Sequence, residues 1–332
     1  MFNLKFKKLF GFLGLFALIF TTLSGQSFAK KHPTYASKTC NGQIQVVIHA
    51  SYGGGTDTTA RMMSIRTRRT LNTDIQIVGK RGGSGAKAQN YTLTRPKDGC
   101  TIMALTESHL YTMARGKSNM KIDDLVGVAR AMEEPTFVVV NAKNKELSTV
   151  KKMQKRAQKK PISVAIASIG GTEHIGMYSY SKAANIPFKA VSFGSGAQSL
   201  QALASGKVEA SLLNPSEAAA LIADKKIKAI VLLHDKALAD YPKVKTSYSM
   251  GHKVKVVTTR GYAVLKGTPQ SVIDEISKGM VKAMKHETFG NYLKGASLDP
   301  ATSPAGTKVW DKQLKENYKK AAAALKGLGL TK

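Results

Sequence analysis

Ala50-Ser51-Tyr52-Gly53-Gly54-Gly55-Thr56-Asp57 joins a short apolar run, Ile44 to Ile48, to a helical pattern, and the reading of this join decides the fold. The run is rich in β-branched residues, as a buried strand is. Beyond the loop, Ala60, Met63, Thr67 and Leu71 recur at helical spacing, with Arg61 and Arg68 on the opposite side. Strand, turn and helix therefore meet here. Three glycines accept positive φ and leave no Cβ between backbone amides and a ligand. Thr56 or Asp57 can cap the helix, whose first N–H groups carry partial positive charge. That geometry suits a carboxylate or phosphate. A tight strand-to-helix turn with no ligand reads the same tripeptide equally well. No Gly-Lys-Ser/Thr follows, and the G-x-G-x-x-G spacing is missing, so neither nucleotide loop is supported.

The pattern repeats downstream. Ile75 to Val78 leads into Lys80-Arg81-Gly82-Gly83-Ser84-Gly85, then a helical stretch from Ala86 to Thr94 that Pro96 ends. The turn Lys97-Asp98-Gly99 feeds a third strand, Thr101 to Leu105, which closes on Thr106-Glu107-Ser108. Strands alternating with helices predict an α/β fold with an open, mostly parallel sheet. Ligands of such sheets bind beyond the carboxyl ends of the strands. Val126 to Arg130 and Phe137 to Asn141 read as extended, Pro135 breaking any helix between them, and the second run is taken as a crossing into another domain. There the alternation restarts: a helix from Val150, strand Ser163 to Ala167, the turn Ser168 to His174, strand Phe188 to Val191, then Ser192 to Ala197, the helix Gln198 to Ser205, and strand Ala210 to Leu213 before Asn214-Pro215-Ser216. Ala229 to Leu233 and Val254 to Thr258 continue as extended runs, and Gly261 to Leu265 reads as the return crossing. Thr268-Pro269 and Ser303-Pro304 look like helix starts, the last helix running from about Ala305 to Leu325. The expected division is a leader over 1–29, a discontinuous first domain over 30–139 and 259–332, and a second domain over 140–258. The strand ends mark Gly54, Gly55, Glu107, Ser168, Ser192, Phe193 and Asn214 as candidate ligand contacts.

Lys5, Lys7 and Lys8 precede an apolar run to about Leu23, and Ser27-Phe28-Ala29 places small residues where signal peptidase reads them. Export with cleavage after Ala29 is expected. The chain has 51 Lys+Arg against 21 Asp+Glu, a formal charge of +30. The charges are spread along the chain, and export removes the protein from nucleic acid, so no nucleic-acid partner is expected. Lys151, Lys152, Lys155, Arg156, Lys159 and Lys160 surround Val150, Met153 and Ala157 as a solvated helix face. This field favours the arrival of anions. Cys40 and Cys100 each lie just before a predicted strand. Two cysteines in an oxidising compartment favour a disulfide, which adjacent parallel strands would bring within reach. Two cysteines without clustered histidine do not make a zinc site, and no metal is expected.

Tyr52-Gly53-Gly54-Gly55-Thr56-Asp57 with Ala60-Arg61, Gly82-Gly83-Ser84-Gly85, Pro96-Lys97-Asp98-Gly99, Gly170-Gly171-Thr172 with His174, Ser205-Gly206-Lys207-Val208-Glu209 and Gly267-Thr268-Pro269 occur in an order that spans nearly all of the chain after the leader. In these the chain resembles the periplasmic solute-binding proteins of tripartite tricarboxylate transporters, the Bug receptors. The resemblance implies a type II periplasmic binding fold: two α/β domains, two crossovers, and a ligand cleft between them. It implies a small organic carboxylate as ligand, membrane permease subunits as partner, a periplasmic location, monomeric action and no cofactor. Carried over, Ser51, Tyr52, Thr56 and Asp57 supply the first loop with Gly85 nearby, and Thr106 and Ser108 form the third-strand rim. Gly171, Thr172 and His174 face them with Ser195, Gly196 and Ala197. The sequence departs from the family pattern at Tyr52, at Lys87, at Cys100, where the family has an aromatic residue, and at Leu213, where an acid often stands. The last leans the ligand away from amino acids.

Asp57 would repel a carboxylate, so its expected work is capping the helix or orienting a bridging water. Glu107 either meets a donor group of the ligand or pairs with a lysine. His174 either touches ligand or fills space beneath its loop. Lys80, Arg81 and Lys87 are candidates for neutralising a second carboxylate, and Trp310 is expected in the core. Against the receptor reading stand the same fold reporting to a sensor kinase, and an exported hydrolase using Ser51 or Ser168 with His174. No G-x-S-x-G elbow supports the hydrolase.

Overall fold

The computed structural model describes residues 34–330. The expected leader and its cleavage point lie outside the described residues. The chain begins with helix α1 (Tyr35–Thr39), followed by β1 (Gln43–Ile48), α2 (Gly55–Thr70), β2 (Asp74–Gly79), α3 (Ala86–Leu93), β3 (Thr101–Leu105), α4 (Glu107–Ala114) and the long strand β4 (Leu125–Pro135). After Thr136 come β5 (Phe137–Asn141), α5 (Val150–Lys159), β6 (Ile162–Ile166), α6 (Thr172–Ala184), β7 (Phe188–Ser192), α7 (Gly196–Ala204), β8 (Ala210–Leu213), α8 (Pro215–Ala223) and β9 (Ile227–Leu232). The chain returns through β10 (Val257–Leu265) and ends in α9 (Gln270–Met284), α10 (Glu287–Gly295), the two-residue β11 (Ala305–Gly306) and α11 (Thr307–Gly327).

Two sheets result, ordered β11-β4-β10-β3-β1-β2 and β7-β6-β8-β5-β9. The chain changes sheet across Thr136 and again before Val257. Side chains alternate across each strand. In β1, Ile44, Val46 and Ile48 join a core with Met63, Ile276, Met280 and Phe289, whereas Val47 turns to the core of Met103, Leu110, Trp310 and Leu314. The second sheet is covered in the same manner: Val164 and Ile166 pack with Met153, Met177 and Tyr180, and Ala165 packs with Leu203, Val208 and Ala218. Each sheet thus lies between helical layers, the arrangement expected of α/β lobes. Trp310 is buried, as expected, and its indole N–H donates to the Tyr262 carbonyl at 3.0 Å.

Several local expectations are corrected. The first sheet is mixed: β1 is parallel to β2 and β3, but β10 runs antiparallel to both β3 and β4. The crossing strands impose this, because one leaves the sheet and the other returns to it. Val254 to Thr258 and Gly261 to Leu265 are not separate runs; Val257 onward forms one strand whose register shifts at Arg260/Gly261 and Tyr262/Ala263. Ser303-Pro304 does not start the last helix, because Ala305 and Gly306 first pair with Arg130 and Ala129 of β4. Pro269 is the residue before α9 instead of its first turn. Helices α8 and α10 were not foreseen.

Cys40 and Cys100 form a disulfide across the amino-terminal ends of β1 and β3, which are parallel neighbours. A bond spanning 60 residues of sequence is worth about 4 kcal/mol in the chain-entropy account. The double variant Cys40→Ser/Cys100→Ser, or wild type in dithiothreitol, is expected to melt several degrees lower than the oxidised protein in a calorimetric scan; an unchanged Tm would show that the bond contributes nothing.

Candidate ligand cleft

Glycine-rich turns stand at the carboxyl ends of β1, β2 and β3 because the chain must leave each strand sharply and enter a helix. Gly54 precedes α2 in extended conformation, with no hydroxyl or carboxylate cap, so neither Thr56 nor Asp57 caps the helix. Asp57 instead reaches back to accept the Gly53 N–H at 2.8 Å and takes Arg61 Nε on both oxygens at 2.9 Å. It shapes the loop and is spent on protein contacts. After β2, Gly82, Gly83, Ser84 and Gly85 all have positive φ, from 55° to 129°, which curls successive amides around a concavity. Ser84 alone pays for this with a side chain in the left-handed region.

The loops of the two lobes meet. Ser51 N–H donates to the Gly194 carbonyl at 3.2 Å, and the Ser51 hydroxyl donates to Gln198 Oε1 at 3.0 Å. Ser84 Oγ donates to the Ile169 carbonyl at 2.6 Å, and Arg115 Nη2 to the Gly170 carbonyl at 3.0 Å. Ser108 Oγ accepts the Thr172 N–H and lies 3.1 Å from its hydroxyl. Glycines allow this approach: a Cβ at Gly54 would stand 2.7 Å from Ser195 Cβ, and one at Gly55 2.3 Å from Arg260 Nη2. Enclosed between them is a cleft of about 590 Å³.

The cleft gathers Gly55, Thr56, Gly85, Thr106 and Ser108 from the first lobe with Ser168, Thr172, Ser192, Ser195 and Gly196 from the second. The other candidates stand elsewhere. Ser51 latches the two lobes as described. Tyr52 is largely exposed, its hydroxyl accepting the Gly79 N–H at 3.0 Å. Gly54 packs on Ser195, and Gly171 packs beneath Ser168 and Ser108. His174 accepts the Gly170 N–H on Nδ1 at 2.9 Å, holding its loop from below. Phe193 packs on the second lobe's core, and Ala197 borders a small adjacent void. Asn214 Nδ2 donates to the Pro135 carbonyl at 2.9 Å. Glu107 lines a separate groove beside α11 and accepts the Thr259 N–H at 2.7 Å. Arg81 does border the cleft, from an exposed position.

The floor is built from residues that sequence reasoning missed: His49, Glu173, Glu217, Thr258 and Arg260. Arg260 Nη1 is paired with Glu134 in the interior, and Nη2 donates to Asn214 Oδ1 at 3.1 Å. Glu134 also accepts the Ser216 N–H and hydroxyl, each at 3.0 Å. Burial lowers the His49 imidazole to about 4, with Arg260 adding to the effect, so it stands neutral in the cleft wall. Its ring meets His109 edge-on at 4.1 Å, and His109 is itself held neutral by burial beneath Gly85. Two signals were available. Asn214-Pro215-Ser216-Glu217 is a capping-box pattern, and Arg260 is the lone charge in a run of small and apolar residues. Among the described residues no cluster of His, Cys, Asp and Glu is placed to hold a metal ion, and no helix is long and apolar enough to cross a membrane.

Two α/β lobes whose strand-end loops close over a polar cleft define the type II periplasmic binding fold. Solved structures share it. MatC of Rhodopseudomonas palustris with bound malate has a TM-score of 0.79 at 20% identity, covering 85% of this chain and 98% of that one. The periplasmic binding protein BugD gives 0.79 at 19% identity, over 87% and 98% of the two chains. A second Rhodopseudomonas palustris protein, with adipate, gives 0.79 at 18%, over 86% and 97%. The chain belongs to the tripartite tricarboxylate transporter receptor family, whose model matches residues 59–330. BugT of Bordetella pertussis is 22% identical over 277 residues, 80% of this chain and 82% of BugT.

Removing the guanidinium with Arg260→Ala leaves the Glu134 carboxylate buried without its counter-charge, and is expected to destabilise the fold by about 3–5 kcal/mol in urea titrations. Adding Glu134→Gln to that variant should recover part of the loss; no recovery would mean that the pair is not what holds the site together. Glu107 gives a pH test. Burial pushes its carboxyl from 4.5 up to about 7, against the opposing pull of the Thr259 hydrogen bond. The folded state therefore binds this proton more tightly than the unfolded state, so the contribution is whole below about pH 4.5 and is lost as pH rises to about 7. Glu107→Gln keeps an acceptor for Thr259 and removes the titration. At pH 8 it is expected to be more stable than wild type by about 1–3 kcal/mol, and near pH 4 to match it.

Proposed function

We propose that this protein is an exported, monomeric receptor that captures a small organic carboxylate between its lobes and delivers it to the membrane permease of a tripartite transporter. In this reading, 30–139 with 259–332 moves against 140–258, and the leader is removed after Ala29. The observation that carries the proposal is the cleft's stock of donors. Thr106 and Arg260 line it, both residues are buried, and neither the Thr106 hydroxyl nor the Arg260 Nε–H donates to an acceptor among the described residues. Unmet buried donors are costly, and an anionic ligand supplies the missing acceptor. The Gly82–Gly85 concavity and the first turns of α2, α4 and α6 add partial positive charge around the same space. MatC holds malate and its Rhodopseudomonas palustris counterpart holds adipate, which makes dicarboxylates the first probes.

Binding without turnover fits the placement of the groups a hydrolase would use. Ser51 donates to Gly194 and Gln198, and the His174 Nδ1 is taken by a backbone amide. Neither stands in a nucleophile–base pair. No cofactor enters this reading.

A thermal-shift panel of mono-, di- and tricarboxylates that includes malate and adipate is expected to contain a stabilising ligand, one at 100 times its Kd adding about 2.7 kcal/mol. A broad panel without any shift would count against carboxylate capture. Delivery is tested separately, by uptake of the identified ligand into proteoliposomes holding the permease, with and without this protein.

A further inference from the structure

The second lobe ends, on the side away from the cleft, in a cationic face. The cleft loops leave the carboxyl ends of β6 and β7, whereas α5, the turn from α7 to β8 and the turn from α8 to β9 stand at the other end of the sheet. Two contacts fix α5 there. Gln158 Nε2 donates to the Asn185 carbonyl at 2.9 Å, just before β7, and Arg156 Nη2 donates to Glu209 Oε1 at 2.7 Å, just before β8. Val150, Met153 and Ala157 turn inward, and Lys151, Lys155, Lys159 and Lys160 are exposed. Lys207 and Lys225, in the two neighbouring turns, are exposed as well. The acids in these turns are already engaged, Glu146 and Glu209 with Arg156, and Asp224 with Lys226. None of the named lysines except Lys226 has an ion pair among the described residues.

The helix itself gains little from this pattern. No acid stands in the first turn of α5, where the positive end of the macrodipole disfavours Lys151. Lys151, Lys155 and Lys159 follow at four-residue intervals on one face, where like charges repel. An anion from outside relieves both. We propose that this end of the second lobe is an electrostatic docking surface for an anionic phospholipid bilayer. Lysine dominates it, and Arg156, the one arginine of α5, is taken up by carboxylates. Compact ammonium charges suit a diffuse sheet of headgroup phosphate better than a single bidentate partner. Among the described residues, none of the exposed large apolar side chains belongs to this face, so it offers no ring for a nucleic-acid base to stack on and no wedge to insert into a bilayer. The attraction is therefore one of charge alone, and it is screened over a Debye length of about 8 Å at physiological ionic strength. Docking here leaves the cleft loops uncovered and is independent of what the cleft binds.

The test sediments the mature chain with vesicles of phosphatidylcholine alone and with vesicles holding about one-third phosphatidylglycerol, at low and at high salt. Binding to the anionic vesicles only, weakened at high salt, is expected. The variant Lys151→Gln/Lys155→Gln/Lys159→Gln/Lys160→Gln/Lys225→Gln should bind them at least tenfold more weakly. Lys308→Gln/Lys312→Gln/Lys319→Gln/Lys320→Gln/Lys326→Gln removes as much charge from α11 of the first lobe and should weaken binding less than threefold. Circular dichroism checks that both variants are folded. Binding to both kinds of vesicle alike, or to neither, overturns the inference, and so does an α11 variant that loses as much as the first, since net charge would then explain the effect. Tighter binding to a single-stranded oligonucleotide at matched phosphate, lost in the first variant, gives the face to nucleic acid and overturns it too. A measurement on wild type needs no variant: in acetic anhydride labelling read by mass spectrometry, anionic vesicles should shield the lysines of α5 and leave those of α11 open. Equal shielding of the two helices overturns the assignment. Any of these failures leaves the carboxylate receptor standing.

Discussion

One buried ion pair ties the two lobes together. Arg260 lies in the returning strand β10 and Glu134 in the departing strand β4, side by side where the chain crosses between sheets. Each partner also reaches into the second lobe, Arg260 to Asn214 and Glu134 to Ser216 at the start of α8. Desolvating two charges costs about what their attraction returns, so the pair is poor as a source of stability. Its value is positional. The hydrogen bonds have few alternative partners in the interior, so the crossing strands, the start of α8 and the cleft floor take up a single mutual arrangement.

Around that fixed point the loop contacts between the lobes are short and polar. Loops at the ends of β1, β2 and β3 meet loops at the ends of β6 and β7 through hydroxyl and carbonyl groups rather than through apolar packing. The apolar cores stay within each lobe and are separate from one another. A joint made of a few hydrogen bonds, each worth about 1 kcal/mol net, can open and reform on solvent exposure in a way that a buried apolar interface cannot. Glycines at 54, 55 and 196 set how close the surfaces come, since a Cβ at any of them would meet an atom across the cleft or beneath it at under 3 Å.

What was legible in the sequence was mostly local. A β-branched run followed by glycines and a helical period declares strand, turn and helix without reference to anything distant, and the loops at Gly53, Gly82, Gly170 and Gly194 were found on that ground. The disulfide was legible because it needed only that two strands be neighbours. Half of the cleft's candidate residues gather there because they sit in those turns. The floor was not legible. Arg260 and Glu134 are 126 positions apart, and only the pairing of β4 with β10 brings them together. The same strand pairing overrode a local signal at Ser303-Pro304, where two residues are drawn into the sheet edge before the helix can begin. Asp57 and His174 were placed in the right loops, but a backbone amide there claims each side chain.

The disulfide joins β1 and β3 at the ends opposite those that carry the cleft loops. Such a bond exists only in oxidising surroundings. Before oxidation the first lobe lacks that crosslink, and its unfolded chain is correspondingly freer. In reducing surroundings the same polypeptide is thus the more pliable form, and oxidation of Cys40 and Cys100 is the step that stiffens the end of the first lobe remote from the cleft.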